Sequence, residues 1–311
     1  MVRTVVATAS ALSPLAPCTD PAALQRLGPA PAPQQREEVS RLYALLAEAD
    51  SKRMLAQYDE GLELTKGVSD GASSIDWAPL TADAAHLESR LLTYSGKHQD
   101  AEVRAREAFM LAVRSDGWET AARSASWLVY LVGQGGTRAQ ETATWAELAS
   151  VAIERAGDPL HLLESSLLNH RAIHARASGQ FSEAIQLYER SIALRGEALG
   201  EEHPSLVNVV GNLGNVYLSK QEYDRAAAHY ERAISITRAT RGEDHPDMAY
   251  DFASLGSIAL ARKDFGKARE YNERAVAIRE RSLGSDHVLI ATPLLNLGEL
   301  AQLEGDLEAS A

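Results

Sequence analysis

Two histidines and one short triplet are the residues whose types and spacing suggest chemistry in this sequence. His170 and His174 are four residues apart, so on a helix they would share a face and could bind a divalent metal ion. No glutamate stands between them in the pattern of zinc proteases. The repeat register described below aligns His170 with polar positions and His174 with apolar ones. We therefore expect a structural role for this pair and predict no metal site.

A second group of histidines recurs once in each repeat. Its members are His203, His245 and His287. Because they stand about one repeat apart, we assign them to the linkers between helices, where they would act as caps. His86 and His98 have no partners at ligand spacing, and the single cysteine, Cys18, excludes an intrachain disulfide and a cysteine-based zinc site. The sequence thus predicts neither a metal nor a cofactor.

The triplet Asp264-Phe265-Gly266 has the letters that bind magnesium in protein kinases. Its equivalents one repeat away are Glu222-Tyr223-Asp224 and Asp306-Leu307-Glu308, which indicates a turn between two helices, with Phe265 packing into the pair. A kinase also needs a glycine-rich loop, a strand lysine and a His-Arg-Asp loop, and the sequence contains none of them. Residues 133–136 are too short for a phosphate-binding loop. We therefore predict that the chain is not an enzyme.

A register of 42 residues runs through the C-terminal half of the sequence. His203-Pro204 recurs as His245-Pro246, and an internal helix glycine recurs at the small position of each unit. A fixed period of about 20–50 residues indicates a solenoid, in which each helix pair buries its apolar face against its neighbours. The glycines expected to permit close helix approach are Gly214, Gly256 and Gly298. The glycines expected just after a helix, where a positive φ is favoured, are Gly200, Gly242 and Gly284.

These units resemble the tetratricopeptide repeat. Its alternating large and small positions are matched by Gly214, Tyr217, Tyr223, Ala226, Tyr230 and Ala233. The 42-residue length and the His-Pro linker are similar to the longer repeats of kinesin light chains and many bacterial regulators. The resemblance implies an all-α, right-handed superhelical solenoid of antiparallel helix pairs. One departure is Asn272, which replaces the expected aromatic residue.

The sequence divides into three parts by composition and spacing. Residues 1–36 form a Pro/Ala-rich leader that we expect to be disordered, because prolines at this density prevent a helix. Residues 37–159 have irregular helix pairs, and residues 160–311 have regular 42-residue units, the last of them incomplete. Among the helices we predict Ala139–Ala156, Leu160–Ala177 and Phe181–Leu199, and we predict a polar loop over Gly67–Asp76.

The tetratricopeptide resemblance implies that the first helix of each unit lines a concave groove. The groove residues in that register are Ser166, Asn169, His170, Asn208, Asn212, Asn215, Tyr250, Ser254, Ser257, Thr292, Asn296 and Glu299. Asparagine amides both donate and accept hydrogen bonds, so a column of them could hold an extended peptide backbone. The alternative is an ordinary solvated helix face. The lysines and arginines with which some relatives clamp a C-terminal carboxylate are missing from these positions, which disfavours a carboxylate clamp.

Charge and hydropathy limit the partners. The net charge of −12 repels phosphates, so nucleic acid and anionic membranes are excluded as main partners. No stretch reaches the roughly 18 apolar residues of a membrane span. Leu15-Ala16-Pro17-Cys18 is close to a lipoprotein cleavage site, but Pro17 and the Ser13-Pro14 pair argue against one. We expect a cytoplasmic protein, with export or membrane tethering as the alternative.

Two functions follow from the sequence. The first is a protein–protein interaction scaffold that binds a peptide or partner protein in its groove. The second rests on a wider resemblance, from Cys18 through Gly157-Asp158-Pro159, to the region that follows the kinase domain in bacterial serine/threonine protein kinases. It implies a regulatory or sensor module detached from a kinase or acting on one. The unfinished seventh unit further predicts self-association through the C-terminal end.

Overall fold

The structure, a computed structural model, describes residues 30–55, 57–243, 245–284 and 290–310. Within these ranges every regular element is helical, as predicted, and there are two short 3-10 turns, Pro33–Gln35 and Pro204–Leu206. The α-helices are α1 Arg36–Met54, α2 Tyr58–Ile75, α3 Ala78–Tyr94, α4 His98–Arg114, α5 Trp118–Gly133, α6 Ala139–Ala156, α7 Leu162–Ala177, α8 Phe181–Leu199, α9 Val207–Ser219, α10 Tyr223–Arg241, α11 Met248–Ala261, α12 Phe265–Leu283 and α13 Ala291–Ser310. Most of the predicted leader lies outside the described residues.

The described helices form two compact units, one ending at Leu194 and the other beginning at Arg195. From α1 to α7 each helix packs against the next, and α1, α3, α5 and α7 also contact one another in that order. In the second unit α9 to α13 pack consecutively and α11 contacts α13. The boundary predicted at residues 159 and 160 marks a change in repeat spacing rather than in packing, and it stays a prediction.

The loop predicted over residues 67–76 is wrong, because α2 continues to Ile75. Val68, Ala72 and Ile75 fall on one helical face and are buried. Gly71 lies against α1, where an added Cβ would stand 2.8 Å from the Leu42 side chain. Glycine lowers helix propensity by about 1 kcal/mol, and the packing of this face offsets that loss.

A close helix approach accounts for the internal glycine in two of the regular units, at Gly214 and Gly256. A Cβ on Gly214 would stand 3.0 Å from the Tyr230 ring, and Tyr230 is fully buried. One repeat later Asn272 occupies the position of Tyr230 and is also fully buried. There a Cβ on Gly256 would stand 2.3 Å from the Asn272 amide nitrogen. The Asn272 amide therefore occupies the space that a Cβ at position 256 would need.

The linker histidines accept hydrogen bonds from the backbone two residues further along, and His203 thereby caps the 3-10 turn Pro204–Leu206. The His203 Nδ1 atom accepts a hydrogen bond from the Ser205 backbone N–H (3.2 Å), and His245 accepts one from the N–H of Asp247 (3.3 Å). His287 lies outside the described residues. Asp264 caps α12 by accepting from the Lys267 N–H at 3.2 Å, so the triplet that resembles a kinase motif is the turn between α11 and α12. The three glycines that follow α8, α10 and α12 all have positive φ values.

Candidate protein-binding surfaces

The predicted groove residues of the second unit lie on its first helices, α9, α11 and α13. They differ strongly in exposure. The exposed members are Asn208, Tyr250, Thr292 and Glu299. The half-buried members are Asn212, Asn215, Ser257 and Asn296. Ser254 is buried, with 8% of its surface exposed. The predicted groove residues therefore lie on first helices, but only the exposed and half-buried ones can contact a ligand directly.

Asn215 is a fixed acceptor between three helices. Its Oδ1 atom accepts hydrogen bonds from the hydroxyl of Tyr230 on α10 (2.6 Å) and from the hydroxyl of Tyr250 on α11 (2.9 Å). The Tyr250 ring remains 51% exposed. A tyrosine whose hydroxyl is held this way presents its ring at a defined position, which lowers the entropy lost on binding.

The predicted polar column is largely used within the fold. The Ser254 hydroxyl donates to the backbone carbonyl of Tyr250 in its own helix (3.0 Å). The Asn296 amide donates to Ser257 (3.0 Å) and to the Oδ1 atom of Asn272 (2.9 Å), linking α13 to both helices of the preceding pair. The Asn296 hydrogen bonds join helices, so a ligand backbone would have to compete with them.

The remaining predicted residues lie on α7 in the first unit. Asn169 and His170 are half-buried, and Ser166 donates to the carbonyl of Leu162 (2.9 Å). The His170 ring packs edge-on against Trp127, with 5.5 Å between ring centroids. His174 instead donates through Nδ1 to the Gly133 carbonyl (3.1 Å). The two histidines therefore contact different neighbours, and the described residues contain no cluster of potential metal ligands.

A second surface, which the sequence analysis missed, lies on α1, α3 and α5 of the first unit. We call it the arginine–aromatic surface, and its members are Arg53, Arg90, Tyr94, Arg123, Trp127 and Tyr130. Arg90 lies over the Trp127 ring, 5.7 Å from its centroid, and Arg53 lies over the Tyr94 ring at 5.8 Å. Tyr94 and Trp127 are themselves in ring contact at 6.2 Å. Arginine, tyrosine and tryptophan are the residue types that dominate binding energies in protein interfaces.

Two of the three arginines on this surface have carboxylate partners. Arg53 pairs with Asp50 at 2.6 Å, and Arg123 pairs with Asp83 at 3.1 Å. Asp83 also accepts from the Tyr43 hydroxyl (2.8 Å), which fixes it between α1 and α5. Arg90 has no carboxylate within 4.0 Å in the described part of the chain.

The local potential of this surface is positive. Burial lowers the pKa of His86 on α3, and the charges of Arg123, Arg90 and Arg53 lower it further. Burial also lowers the pKa of the Arg90 guanidinium and the charge of Arg53 lowers it further, while Tyr94, to which Arg90 is hydrogen-bonded, and the charge of Asp50 oppose the shift. Although burial opposes it, the pKa of Asp50 is lowered by its hydrogen bond with Arg53 and by the arginine charges. His86 therefore stays neutral at physiological pH, and the arginines carry the positive charge of the surface.

A spacing signal for this surface does exist in the sequence. Arg53, Arg90 and Trp127 follow one another at intervals of 37 residues. That period differs from the 42 residues of the C-terminal half, so the regular register does not align them. The chain positions them together because the first helices of these irregular pairs pack side by side.

Asp251 on α11 is a second residue that sequence reasoning missed. It is 4% exposed and faces Gly211 on α9, where an added Cβ would stand 3.2 Å from the Asp251 Oδ1 atom. Burial raises the pKa of this carboxyl well above its ordinary value, and the nearby charge of Asp247 contributes. Its equivalent one repeat earlier is the buried Val209, so neither the register nor the residue type marked the position as unusual.

Among the described residues, no helix combines the length and the apolar character that crossing a bilayer needs.

Comparison with known proteins gives both a sequence match and a fold match. The family profile of the tetratricopeptide repeat matches residues 163–239, 205–281 and 250–311, which together make up just under half of the chain. No curated protein matches the sequence. The kinase resemblance is not tested by these matches and stays a prediction.

Solved structures of similar fold include two Rap proteins. RapI in its apo form has a TM-score of 0.55 and 14% identity, over 86% of this chain and 73% of RapI. A Rap protein complexed with competence and sporulation factor has a TM-score of 0.58 and 10% identity, over 87% of this chain and 76% of its own. A Podospora anserina protein described as a kinesin light chain with nearly identical TPR-like repeats matches at 19% identity and a TM-score of 0.37, over 79% and 98% of the two chains. At these identities the Rap structures establish a shared fold.

Proposed function

We propose that this chain, whose residues 163–311 carry tetratricopeptide repeats, is a protein-interaction scaffold that binds a peptide or a partner protein on the first-helix face of those repeats. The repeat is an interaction fold, and helix pairs of this kind present extended surfaces on their first helices. The solved Rap complex supports the proposal to the extent that a protein of this fold is bound to competence and sporulation factor.

The observation that carries the proposal is the position of Tyr250. Its ring is half exposed on α11, and its hydroxyl is held by Asn215 on α9 at 2.9 Å. An exposed aromatic ring offers a large contact area, and its fixed position means that little side-chain freedom is lost on binding. The exposed Asn208 and Thr292 lie on the neighbouring first helices of the same unit, where they can provide polar contacts.

The first prediction is that Tyr250→Ala weakens ligand binding by at least about tenfold, as expected for loss of an aromatic anchor. Peptides would be selected on the wild-type protein from a display library of random sequences. Their affinities for both proteins would then be measured by isothermal titration calorimetry. The variant should remain folded, because half of the ring is already in solvent.

Two further variants control this measurement. Tyr250→Phe keeps the ring and removes only the hydrogen bond to Asn215, so it should retain most of the affinity. Val103→Ala changes a side chain that is 63% exposed on α4, away from the first-helix face, and should have no effect. Equal affinities for wild type and Tyr250→Ala would contradict the proposed site.

A second prediction concerns self-association. Leu294 and Leu295 on α13 are 50% and 73% exposed, and Leu303 further along the helix is 36% exposed. Exposed leucines grouped on one helix favour association between copies of a chain. We expect the wild type to show concentration-dependent dimerisation in sedimentation velocity and Leu295→Glu to shift the equilibrium toward monomer. A wild type that stays monomeric at high concentration would refute this prediction.

The alternative function, a regulatory module of a serine/threonine kinase system, rests on sequence resemblance alone and stays a prediction. The same is true of the cytoplasmic location.

A further inference from the structure

We propose that a groove in the first unit binds a free α-amino acid or a closely similar small zwitterion, with Glu147 contacting the ammonium group and Arg171 the carboxylate. The groove lies between α6 and the turn that joins α7 to α8. Every residue that lines it belongs to the first unit, whereas the Tyr250 surface lies in the second. The proposal therefore goes beyond the proposed function and does not depend on it.

An unusually long turn lies next to this groove. The connection between α5 and α6 has five residues, 134–138, whereas those within the neighbouring pairs, α3–α4 and α7–α8, have three. Gly136 in this turn has a positive φ, and a Cβ there would stand 3.1 Å from the carbonyl oxygen of Ala177. A Cβ on Gly133 would stand 3.0 Å from the His174 Cβ atom. The two glycines thus let the end of α5 and the longer turn pack closely against the last turns of α7.

Small side chains leave space between α6 and α7. The groove has a volume of about 380 Å³, within the range of about 300–1,000 Å³ that is usual for small-molecule sites. Thr142 on α6 and Ala175 on α7 line it and are buried. The other small side chains that α6 contributes are Ala139, Ala143, Ala146 and Ser150. The alanines provide apolar contact area for the carbon atoms of a ligand.

Charged side chains of opposite sign lie on the two walls. Glu147 on α6 is exposed and has no hydrogen bond or ion pair among the described residues. Across the groove, Arg171 on α7 is paired with Glu183 on α8 at 4.0 Å. This separation is too long for a hydrogen bond, so the Arg171 guanidinium keeps its N–H donors for a ligand. The groove therefore offers one molecule a carboxylate and a guanidinium that the described residues leave available.

His174 adds a hydrogen-bond acceptor to the α7 wall. Its Nδ1 atom donates to the Gly133 carbonyl at 3.1 Å, so the Nε2 atom of the neutral ring carries a lone pair. An ammonium group has three donors, and a single carboxylate contact does not use all of them. Nε2 therefore provides a second acceptor for an ammonium group that contacts Glu147.

The chemical class of the ligand follows from these charges. A simple organic cation would pair with Glu147 but would be repelled by Arg171. A simple anion would pair with Arg171 but would be repelled by Glu147 and Glu183, in a chain whose net charge is −12. A zwitterion pairs with both walls through charge-assisted hydrogen bonds, which are roughly twice as strong as neutral ones.

The test begins with saturation-transfer NMR on the full chain. Each of the standard amino acids is presented singly at millimolar concentration, and isothermal titration calorimetry then gives the affinity of the best binder. We expect at least one amino acid to bind. Its C-terminal amide keeps only the ammonium charge, and its N-acetyl derivative keeps only the carboxylate. Each derivative should bind at least about tenfold more weakly, the usual size of a lost hydrogen bond to a charged group.

Two substitutions each remove one charge from the groove. Glu147→Gln and Arg171→Gln should each weaken binding of the amino acid by about tenfold or more. Glu147→Gln should also reduce the advantage of the free amino acid over its N-acetyl derivative, because the ammonium group then has no carboxylate to contact. Arg171→Gln should in the same way reduce the advantage over the amide.

A third variant tests the location without changing any charge. Ala143→Leu places a larger side chain in the groove and should abolish binding. Position 143 is exposed and leucine is a good helix former, so this variant should fold.

Glu63→Gln is the matched control. Glu63 on α2 is also exposed and has no ion pair among the described residues, but it lies outside the groove. Its loss should leave amino-acid binding unchanged. Circular dichroism melting curves would show that each variant is folded.

The proposal would be overturned if no amino acid bound, or if the amide or the N-acetyl derivative bound as tightly as the free amino acid. Full binding by Ala143→Leu would place the ligand elsewhere on the chain. Equal losses in Glu147→Gln and Glu63→Gln would show a general effect of net charge. None of these outcomes bears on the Tyr250 surface, which is tested with peptides and with variants in the other unit.

Discussion

Replacing Gly256 with alanine is expected to lower the free energy of unfolding of the second unit by about 3 kcal/mol. The new methyl group would stand 2.3 Å from the Nδ2 atom and 2.7 Å from the Oδ1 atom of Asn272. Asn272 cannot simply rotate away, because it is fully buried, donates to the carbonyl of Ala268 (2.8 Å) and accepts from Asn296 (2.9 Å). Relieving the overlap would separate the helices or leave buried amide groups without partners.

The same substitution at the equivalent glycines provides an internal series. At Gly214 the nearest atom is a ring carbon of Tyr230 at 3.0 Å, so a smaller loss of about 1–2 kcal/mol is expected. At Gly298 no atom of the described residues lies within 4 Å of the added methyl group. Gly298→Ala should therefore stabilise α13 by about 0.5–1 kcal/mol through helix propensity.

Urea unfolding followed by circular dichroism would measure this series. Hydrogen exchange would assign the affected helices, because repeat arrays need not unfold in one step. The expected order of stability is Gly298→Ala, wild type, Gly214→Ala and Gly256→Ala. A Gly256→Ala variant as stable as wild type would show that α11 and α12 can separate without loss, and the close approach would then have no energetic role.

This series also shows what the sequence could predict about the fold. The repeat register placed the three glycines at the same point of successive units, and it gave the ends of helix Phe181–Leu199 as observed. It could not rank the glycines, because the contact at each depends on a residue of the second helix. Tyr230 and Asn272 present different atoms to the same backbone site of successive units.

The error at residues 67–76 has a similar origin. Glycine and serine count against a helix when each residue is judged alone. In the structure the Leu42 side chain packs closely against Gly71, and Val68 and Ala72 are buried in the same helix. Tertiary packing outweighed the local preference, and the residues of α2 alone do not indicate which neighbour they contact.

For the candidate sites, the repeat register predicted which helices carry the residues, but it did not predict the hydrogen bonds and ion pairs that their side chains make. It placed Asn215, Ser254 and Asn296 on first helices, where they lie, but it could not show that the hydrogen bonds of Asn215 and Asn296 join helices. It also missed Arg90, since the 37-residue spacing of the irregular pairs does not follow the 42-residue register. The partners of a side chain depend on both helices of a contact. A periodic pattern of residues in one helix therefore does not specify those partners.

Asp251→Asn is expected to stabilise the second unit by about 2 kcal/mol at neutral pH, the order of the cost of burying a poorly compensated polar group. Burial favours the neutral acid, so the pKa of Asp251 in the folded chain lies well above the ordinary value of 3.8. As pH rises past 3.8, the unfolded chain loses this proton while the folded chain keeps it. The contribution of Asp251 to stability is therefore present at low pH, falls as pH rises toward the raised pKa, and stays lost above it.

The variant removes this dependence, so the stability difference from wild type should be small near pH 4 and should grow toward neutral pH. Urea midpoints measured for both proteins across this range would give the difference directly.

Glu102→Gln in the first unit supplies a control of opposite sign. Hydrogen bonds from Arg138 and Arg106, opposed by burial, lower the pKa of Glu102 to about 2. That variant should lose stability at neutral pH and approach wild type as the carboxyl protonates.

A stability difference between Asp251→Asn and wild type that does not change with pH would contradict the argument. It would mean that the pKa of the Asp251 carboxyl does not change on folding, because the space left by Gly211 admits enough water to hydrate the charge. A stability difference that grows with pH would instead show that the ionisable side chain of Asp251 lowers the stability of the second unit. The equivalent position in the preceding repeat is the buried Val209. Because Asp251 adjoins the exposed Tyr250, ligand binding to wild type and Asp251→Asn at neutral pH would then test whether that cost serves recognition.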